Sequence, residues 1–242
     1  MTRKAEARCW AVLPAAGTGS RMGAEIPKQY MAVAGATLLE HSLRALLNCE
    51  QISGIIVALH ADDTRAAGMP IFQDPRIQMV SGAEQRNGSV LAGLDALISQ
   101  AALHDWVLVH DAARPCLQTH DIMRLIATVI ANETGGILAE QIVDTVKQAS
   151  ADARVLRTLD RATLWRAQTP QMFRLDELRE ALQQAQTQGL AVTDEASAME
   201  MAGYPVQLVA GSAGNLKVTV PADLPLADWY LQTQNGVVWR ES

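Results

Sequence analysis

Short apolar runs alternate with amphipathic segments through the first half of this chain. The apolar runs occupy residues 9–14, 54–59, 77–80, 106–110 and 136–139. Apolar residues recur at helical spacing in segments 37–47, 89–98 and 121–130. Runs of this length are typical of buried strands, and their alternation with helices indicates βαβ units. The pattern therefore predicts an α/β fold with a mostly parallel sheet flanked by helices on both faces.

The pattern changes after residue 139. Residues 141–157 alternate loosely, which predicts two extended segments around 149–152. A protruding β-arm of this kind has too little core of its own and needs a partner surface. Further helices are predicted at 175–188, 194–201 and 222–231, with a strand at 206–209. We expect a single domain over residues 1–242, with the β-arm as an insertion at about 140–160.

Composition excludes several classes of protein. The formal net charge is -6, which argues against a surface that binds nucleic acid. No apolar run reaches the roughly 18 residues that a membrane span needs, so we expect no membrane association. The three cysteines, Cys9, Cys49 and Cys116, are widely spaced and odd in number. This usage fits reduced thiols in the cytoplasm better than a disulfide framework.

A glycine-rich turn follows the first predicted strand. Residues 13–23 read L-P-A-A-G-T-G-S-R-M-G. Open α/β sheets bind ligands at the carboxyl ends of their strands, and glycines let backbone N–H groups approach phosphate oxygens. The spacing G-x-G-x-x-x-G is one residue longer than the dinucleotide fingerprint, and no G-K-[ST] follows it. On its own, the turn leaves phosphate binding and a ligand-free tight turn equally open.

Two cations near this turn favour phosphate chemistry. Arg21 lies within the glycine-rich segment, and Lys28 follows in P-K-Q-Y (27–30). Displacement at an α-phosphate builds negative charge on phosphorus and on the leaving pyrophosphate, which fixed cations stabilise. A large cation between glycines has little packing role, so we interpret the pair as functional rather than as two solvated surface charges.

A carboxylate follows the strand predicted at 106–110. Asp111 begins the sequence D-A-A-R-P and should face the same edge of the sheet as the glycine-rich turn. It could handle Mg²⁺, which prefers oxygen ligands and bridges phosphates. It could equally bind substrate hydroxyls, or cap a helix without any ligand. His110, its strand neighbour, should point the opposite way and is interpreted as structural.

Two further segments carry weaker signals. Small residues at 82–88 precede the helix predicted from Ser89, where backbone N–H groups could read the edge of a base. An ordinary capped helix start explains them nearly as well. Lys217, in the extended stretch before the last predicted helix, is weak evidence when taken alone.

Five motifs follow one another along the chain. They are L-P-A-A-G-x-G-x-R-M (13–22), P-K-Q-Y (27–30), V-L-V-H-D-A-A-R-P (107–115), T-D-E-A-S-A (193–198) and N-x-K-V-T (215–219). This set closely resembles the 2-C-methyl-D-erythritol 4-phosphate cytidylyltransferases. The resemblance spans essentially the whole chain. It implies a Rossmann-like nucleotidyltransferase fold with a β-arm that interlocks a homodimer.

The resemblance also implies an activity. The enzyme would join CTP and 2-C-methyl-D-erythritol 4-phosphate with Mg²⁺, releasing pyrophosphate and giving 4-diphosphocytidyl-2-C-methyl-D-erythritol. This is a step of non-mevalonate isoprenoid synthesis. The partners expected are CTP, a small polyol phosphate and a second copy of the chain.

Site residues follow from the same resemblance. Arg21 and Lys28 would stabilise the transition state. The CTP contacts would be Pro14, Ala15, Ala16, Gly17, Gly19, Lys28, Ala83, Glu84 and Ser89. The contacts to the acceptor would be Asp111, Thr193 and Lys217, with Thr145 and Arg161 reaching the site from the partner's arm. The resemblance makes Arg114 structural or phosphate-facing. Asp111 stays the candidate metal ligand, directly or through water, because a carboxylate beside a triphosphate suits Mg²⁺.

Two positions depart from the family pattern. Ala83 stands where the family often has a second glycine, a change that a backbone contact tolerates. Gly214 stands where the family often has aspartate, so we expect no second protein ligand for the metal.

Two alternative functions remain at this stage. A ribitol-5-phosphate cytidylyltransferase shares several of the motifs and uses a similar acceptor. A nucleotide-binding or NAD-binding module without transferase activity is the other alternative. The NAD-binding motif, however, requires an acidic residue roughly 20 residues after the glycines, at the end of the second strand. That strand ends near His60, and Asp62 and Asp63 lie well beyond the expected spacing.

Overall fold

The chain folds around a seven-stranded sheet. The computed structural model describes residues 8–17 and 26–234. Its strands are β1 (Cys9–Ala15), β2 (Ala32–Val33), β3 (Ala36–Thr37), β4 (Ile52–Leu59), β5 (Ile77–Ser81), β6 (Trp106–Val109), β7 (Gly136–Gln141), β8 (Lys147–Ala149), β9 (Val155–Thr158), β10 (Trp165–Arg174) and β11 (Gln207–Ala210). Its helices are α1 (Leu38–Leu47), α2 (Arg86–Leu97), α3 (Thr119–Asn132), α4 (Leu175–Thr187), α5 (Glu195–Met201) and α6 (Asp223–Gln234).

The strand order in the large sheet is β11-β7-β10-β6-β1-β4-β5. β10 runs antiparallel to both of its neighbours, and every other neighbouring pair is parallel. The predicted α/β class with a mostly parallel sheet is confirmed. Because β1 and β6 are parallel neighbours, their carboxyl ends meet at one edge, where the glycine-rich turn and Asp111 follow them.

The central strand β10 was missed by the sequence analysis. Its middle carries Gln168, Thr169, Pro170 and Gln171, and all four are buried. Buried polar residues give no hydrophobic alternation, and proline normally argues against a central strand. The register with β7 shifts between Ala167 and Gln171, so the proline lies at an irregularity of the pairing.

Two hydrophobic layers cover the sheet. Ala11 and Leu13 of β1 pack in one layer, and Trp10 and Val12 pack in the other, as the two-residue period of a strand requires. The first layer includes buried residues of α1 and α3, and the second includes those of α2, α4 and α5. A smaller cluster joins α6 to β2 and to Val218.

One helix boundary was predicted wrongly. The sequence suggested a helix from Ser89, whereas α2 begins at Arg86. Gln85 is the residue before the helix and makes no side-chain cap, so the usual start signal is missing. Ser89 lies inside the first turn, where its hydroxyl turns back to the loop before the helix. This shift brings Arg86 onto the helix and into the site described below.

The segment predicted as an arm contains an antiparallel hairpin. β8 pairs with β9, and every residue of both strands is exposed. Lys147 donates to the hydroxyl of Thr158, and Arg157 donates to Gln148, so polar contacts between the strands hold the hairpin. Within the described part of the chain, no helix is long and apolar enough to cross a membrane.

Candidate active site

Two adjoining cavities lie at the carboxyl ends of β1 and β6. Cavity A has a volume of about 270 Å³ and is lined by Pro14, Ala15, Ala16, Gly17, Lys28, Gln29, Ala83, Glu84, Arg86, Ser89, Asp111, Ala112, Ala113 and Lys217. Cavity B has a volume of about 200 Å³ and is lined by Arg86, Asp111, Arg114, Ala167, Gln168, Thr169, Gln171, Thr193, Asp194 and Lys217. Three charged residues, Arg86, Asp111 and Lys217, line both cavities and form a shared wall.

Most of the predicted site residues meet in these cavities. Cavity A contains Pro14, Ala15, Ala16, Gly17, Lys28, Ala83, Glu84 and Ser89. Cavity B contains Thr193, and both contain Asp111 and Lys217. Gly19 and Arg21 lie outside the described residues. A larger cleft of about 1320 Å³ lies between α1, the start of α3 and α6, but none of the predicted site residues lines its described walls.

Thr145 and Arg161 are not brought to either cavity within the described part of this subunit. Thr145 is exposed in the segment between β7 and β8. Arg161 follows β9 and donates from Nη1 to the carbonyl oxygen of Val143 at 2.6 Å. Both residues therefore lie on the arm, and their predicted contact with a substrate stays a prediction that depends on a second subunit.

The carboxylate of Asp111 is the centre of the shared wall. Arg86 donates from Nε to Oδ1 at 2.8 Å, and the Lys217 Nζ lies 2.8 Å from Oδ2. Arg114 lies farther away, with its Nε 3.9 Å from Oδ2. Burial alone would raise the pKa of Asp111, but the attraction of Arg86, Lys217 and Arg114 outweighs it and holds that pKa well below its usual range. Asp111 is therefore ionised throughout the physiological pH range.

Arg86 and Glu195 are site residues that the sequence analysis did not assign. Arg86 donates from Nη1 and Nη2 to the two carboxylate oxygens of Glu195, at 2.6 and 3.0 Å. Burial would lower the pKa of Arg86, yet Glu195 and Asp111 raise it overall. Arg86 lies in the segment 82–88 and Glu195 in the T-D-E-A-S-A motif, but a sequence gives no sign that charges 109 positions apart are in contact.

Lys28 connects the glycine-rich side to the end of the chain. Its Nζ donates to the carbonyl oxygen of Val218 at 2.9 Å. The next residue, Gln29, is buried and donates from Nε2 to the carbonyl oxygen of Ala15 at 2.7 Å. These two bonds hold the Lys28 turn against β1 and against the segment that carries Lys217, so both lysines border cavity A.

The loop before α2 packs closely against the glycine-rich turn. A Cβ atom at Gly82 would lie 2.7 Å from the Cβ of Ala16 and 2.9 Å from the Oγ of Ser89, so only glycine fits there. Ser89 accepts from the backbone N–H of Ala83 and donates to its carbonyl oxygen, both at 2.9 Å. Ser89 therefore fixes the loop that lines one side of cavity A.

His110 helps to position Asp111 through the hydroxyl of Thr169. Its ring is buried, and Nδ1 lies 2.9 Å from the hydroxyl of Thr169, which itself accepts from the backbone N–H of Asp111 at 3.0 Å. The hydroxyl therefore donates to Nδ1, and Nε2 faces the carbonyl oxygen of Arg114 at 3.3 Å. Burial is the main cause that lowers the pKa of His110 to about 4. The neutral ring holds the strand end that positions Asp111.

Arg114 connects two walls of cavity B by donating hydrogen bonds to backbone carbonyl oxygens. It donates from Nη1 to the carbonyl oxygen of Asn215 at 2.7 Å and from Nη2 to that of Ala167 at 3.3 Å. Asn215 is fully buried and donates to the carbonyl oxygen of Thr169 at 2.9 Å. Arg114 thus connects the strand β10 to the segment that ends in Lys217.

The described residues do not form a preassembled metal site. Among them, no group of three or more His, Cys, Asp or Glu side chains is placed to hold a metal ion. Both carboxylate oxygens of Asp111 already face cations, Arg86 on one side and Lys217 on the other. These two cations compete with a metal ion for Asp111, and its role as a metal ligand stays a prediction.

Comparison with known proteins decides the family. The family model described as 2-C-methyl-D-erythritol 4-phosphate cytidylyltransferase matches residues 9–233. The chain belongs to this family. A relative of that name from Mannheimia succiniciproducens is 52% identical over 221 residues, covering 91% of this chain and 95% of the relative. One from Yersinia pseudotuberculosis is 50% identical over 228 residues, covering 94% and 93%.

Solved structures of the cytidylyltransferase family agree with the fold. The crystal structure of the Francisella tularensis 2-C-methyl-D-erythritol 4-phosphate cytidylyltransferase is similar, with a TM-score of 0.77 and 35% sequence identity. The similarity covers 92% of this chain and 99% of that one. The resemblance stated from the motifs is confirmed, and this cytidylyltransferase family is favoured over ribitol-5-phosphate cytidylyltransferases and NAD-binding modules.

Proposed function

We propose that this chain joins CTP to 2-C-methyl-D-erythritol 4-phosphate, giving 4-diphosphocytidyl-2-C-methyl-D-erythritol and pyrophosphate. The observation that carries this proposal is the shared wall of Arg86, Asp111 and Lys217 between cavities A and B. A transfer between two substrates needs two adjoining pockets whose reacting groups meet at one boundary. The family to which the chain belongs supplies the identity of the substrates.

Cavity A is assigned to CTP. Its floor is the turn at Ala15, Ala16 and Gly17 after β1, which suits phosphate oxygens because backbone N–H groups can approach them closely. The ammonium group of Lys28 borders the same cavity and supplies a positive charge. The loop at Ala83, fixed by Ser89, lies on another side and suits the base.

Cavity B is assigned to the acceptor. The Lys217 ammonium group supplies a positive charge for the phosphate, while the Asp111 carboxylate and the Thr193 hydroxyl can bind its hydroxyl groups. Because Lys217 and Asp111 also line cavity A, the acceptor phosphate is held next to the α-phosphate of CTP. This arrangement satisfies the proximity that an in-line displacement requires.

The reaction then needs no covalent enzyme intermediate. An oxygen of the acceptor phosphate attacks the α-phosphorus of CTP, and the bond to the β-phosphate oxygen breaks as pyrophosphate leaves. A phosphate monoester is largely dianionic near neutral pH, so no side chain has to remove a proton. Lys28, with Arg21 as predicted from the motif, stabilises the charge that develops on the α-phosphate and on pyrophosphate.

We propose Mg²⁺ as the divalent cation of the reaction. When bound, Mg²⁺ would neutralise part of the negative charge of the triphosphate. Asp111 is the carboxylate on the shared wall and would hold the ion directly or through water, in competition with Arg86 and Lys217. Removal of divalent cations with EDTA should abolish turnover, and added Mg²⁺ should restore it.

We also propose a homodimer in which the arm of one subunit completes the site of the other. Val143, Val155 and Leu156 expose 76, 63 and 62% of their surfaces on or beside the hairpin, which favours burial against a second copy. Thr145 and Arg161 lie on the same segment and would enter the partner's site. A cytoplasmic location is supported by Cys9, Cys49 and Cys116, which are buried and form no disulfide.

The function is tested by pyrophosphate release. Purified protein with CTP and Mg²⁺ should release pyrophosphate with 2-C-methyl-D-erythritol 4-phosphate, and far more slowly with ribitol 5-phosphate. A higher kcat/KM with ribitol 5-phosphate would overturn the choice of acceptor. Absence of release with either acceptor, together with binding of NAD, would overturn the transferase assignment.

A further inference from the structure

Glu195 is a buried carboxylate whose side chain is hydrogen-bonded to Arg86. It is 1% exposed and is the first residue of α5. It is absent from the described lining of both cavities, so it does not face either substrate directly. Both of its oxygens accept from Arg86 in a bidentate pair, at 2.6 and 3.0 Å. Such pairs fix the plane of the guanidinium group as well as its position.

The fixed guanidinium group of Arg86 in turn orients the carboxylate of Asp111. With Nη1 and Nη2 bound to Glu195, the third nitrogen of the guanidinium group, Nε, donates to Oδ1 of Asp111 at 2.8 Å. Lys217 then lies 2.8 Å from the other oxygen of Asp111. The chain of contacts from Glu195 to Lys217 therefore sets the geometry of the whole shared wall.

The two members of the Arg86–Glu195 pair belong to different walls of the site. Arg86 begins α2, directly after the loop of Ala83 and Glu84 that lines cavity A. Glu195 directly follows Thr193 and Asp194, which line cavity B. The bidentate pair therefore connects the loop on the nucleotide side to the loop on the acceptor side.

We propose that Glu195 is a positioning residue, which locks Arg86 so that Asp111 and Lys217 present the acceptor to CTP in line. This inference rests on the proposed function. The pair with Glu195 also neutralises Arg86, which keeps its guanidinium group from capturing a substrate phosphate in an unproductive position. Asp111 and Lys217 bind the acceptor, whereas Glu195 acts only through Arg86.

The proposal makes a specific kinetic prediction for Glu195→Gln, which keeps the size of the side chain and removes its charge. The kcat/KM for the acceptor should fall by about 10²-fold, because small displacements of reacting groups have effects of this size. The affinity for CTP should change much less, since Lys28, Gly17 and Ala83 are untouched. Glu195→Asp keeps the charge and should recover part of the loss.

Arg86→Lys tests the same contact from the other side. A lysine keeps the positive charge but cannot bind two carboxylates through a planar fork. It should lose as much acceptor kcat/KM as Glu195→Gln. The double variant should lose little more than the worse single variant, because both changes break one contact chain.

Asp105→Asn is the matched control for loss of a buried carboxylate. Asp105 is buried and accepts from Trp10 Nε1, from the backbone of Arg8 and from that of Ala102, at the far end of β1 and β6. Its variant should lower the melting temperature and leave both KM values and kcat per folded site unchanged. A merely structural role for Glu195 would give the same kinetic result as this control.

A crystal structure of Glu195→Gln adds a readout that does not depend on turnover. The hydrogen bond from Arg86 Nε to Asp111 should be lost or displaced. An intact bond, or acceptor kinetics that match the wild type or the Asp105 control, would overturn the positioning role. If the wild-type protein itself releases no pyrophosphate, the proposed function fails, and the crystal structure alone then decides the role of Glu195.

Discussion

The Nζ atom of Lys217 lies 2.8 Å from Oδ2 of Asp111. The two residues come from distant parts of the chain. Asp111 follows strand β6, and Lys217 lies in the segment between β11 and α6. Their ion pair stands where cavity A meets cavity B. A cation that faces both cavities can hold an acceptor phosphate beside the α-phosphate of CTP, which is the requirement of the proposed transfer.

Lys217→Met should therefore impair use of the acceptor more than binding of CTP. The methionine keeps most of the length of the side chain and removes the charge. We expect the kcat/KM for 2-C-methyl-D-erythritol 4-phosphate to fall by about 10²-fold, the usual effect of removing one preorganised charged donor. Steady-state kinetics with each substrate varied in turn measures this. Equal losses for both substrates would contradict the assignment of Lys217 to the acceptor.

Lys28→Ala should lower kcat by about 10²- to 10³-fold, because its charge acts mainly in the transition state. The change removes one hydrogen bond to Val218, so the fold should persist. Lys28→Arg should also be poorly active, since a planar fork does not replace a compact ammonium group. Kinetics and thermal melting are measured together, and normal turnover by either folded variant would refute this role.

His110 should make the stability of the protein depend on pH. Its pKa is about 4 in the folded state and lies near 6.5 when unfolded, so the unfolded chain binds more protons between these values. The free energy of unfolding should therefore decrease by about 3 kcal/mol from this group as pH falls from 7 to 4. Urea denaturation across this range measures the effect, and His110→Gln should show a shallower dependence. Equal slopes for the two proteins would contradict the burial of a neutral ring.

The apolar side chains exposed on the hairpin favour a dimer, which one charged residue introduced there should disrupt. Leu156→Glu should convert the protein from dimer to monomer in sedimentation experiments and abolish most activity. Leu103→Glu is the matched control, because Leu103 is also exposed but lies on the loop before β6. A wild-type monomer, or an active monomeric Leu156→Glu, would contradict the proposed dimer.

A mixture of two inactive variants tests whether the arm acts in the partner's site. Lys28→Ala and Arg161→Ala change the body and the arm respectively. If Arg161 acts across the interface, mixed dimers contain one intact site, and mixing should restore part of the activity. If Arg161 acts within its own subunit, mixing restores nothing.

The sequence predicts the fold class because the parallel strands are short apolar runs. It fails at β10, whose buried Gln168, Thr169 and Gln171 carry no apolar period and whose Pro170 argues against a strand. The polar groups there are satisfied by tertiary contacts, such as the bond from Gln171 to Asp194. Such contacts depend on residues far away in the chain, which a local pattern does not reveal.

The candidate site was predictable to the extent that it lies on motifs. Lys28, Asp111 and Lys217 each stand in a short recognisable segment, and the fold brings them together. Arg86 and Glu195 were overlooked because their importance lies in a contact between two motifs. Thr145 and Arg161 are proposed to act in the site of a second subunit, so neither the sequence pattern nor one chain determines their partners.

We propose that this enzyme places CTP and a polyol phosphate on either side of the Asp111–Lys217 pair and joins them. Phosphorus NMR of a reaction with CTP, Mg²⁺ and 2-C-methyl-D-erythritol 4-phosphate tests it most directly. The acceptor's monoester signal should disappear while the signals of a diphosphate diester and of free pyrophosphate grow in equal amounts. An unchanged monoester signal, or release of phosphate from CTP without the diester, would contradict it.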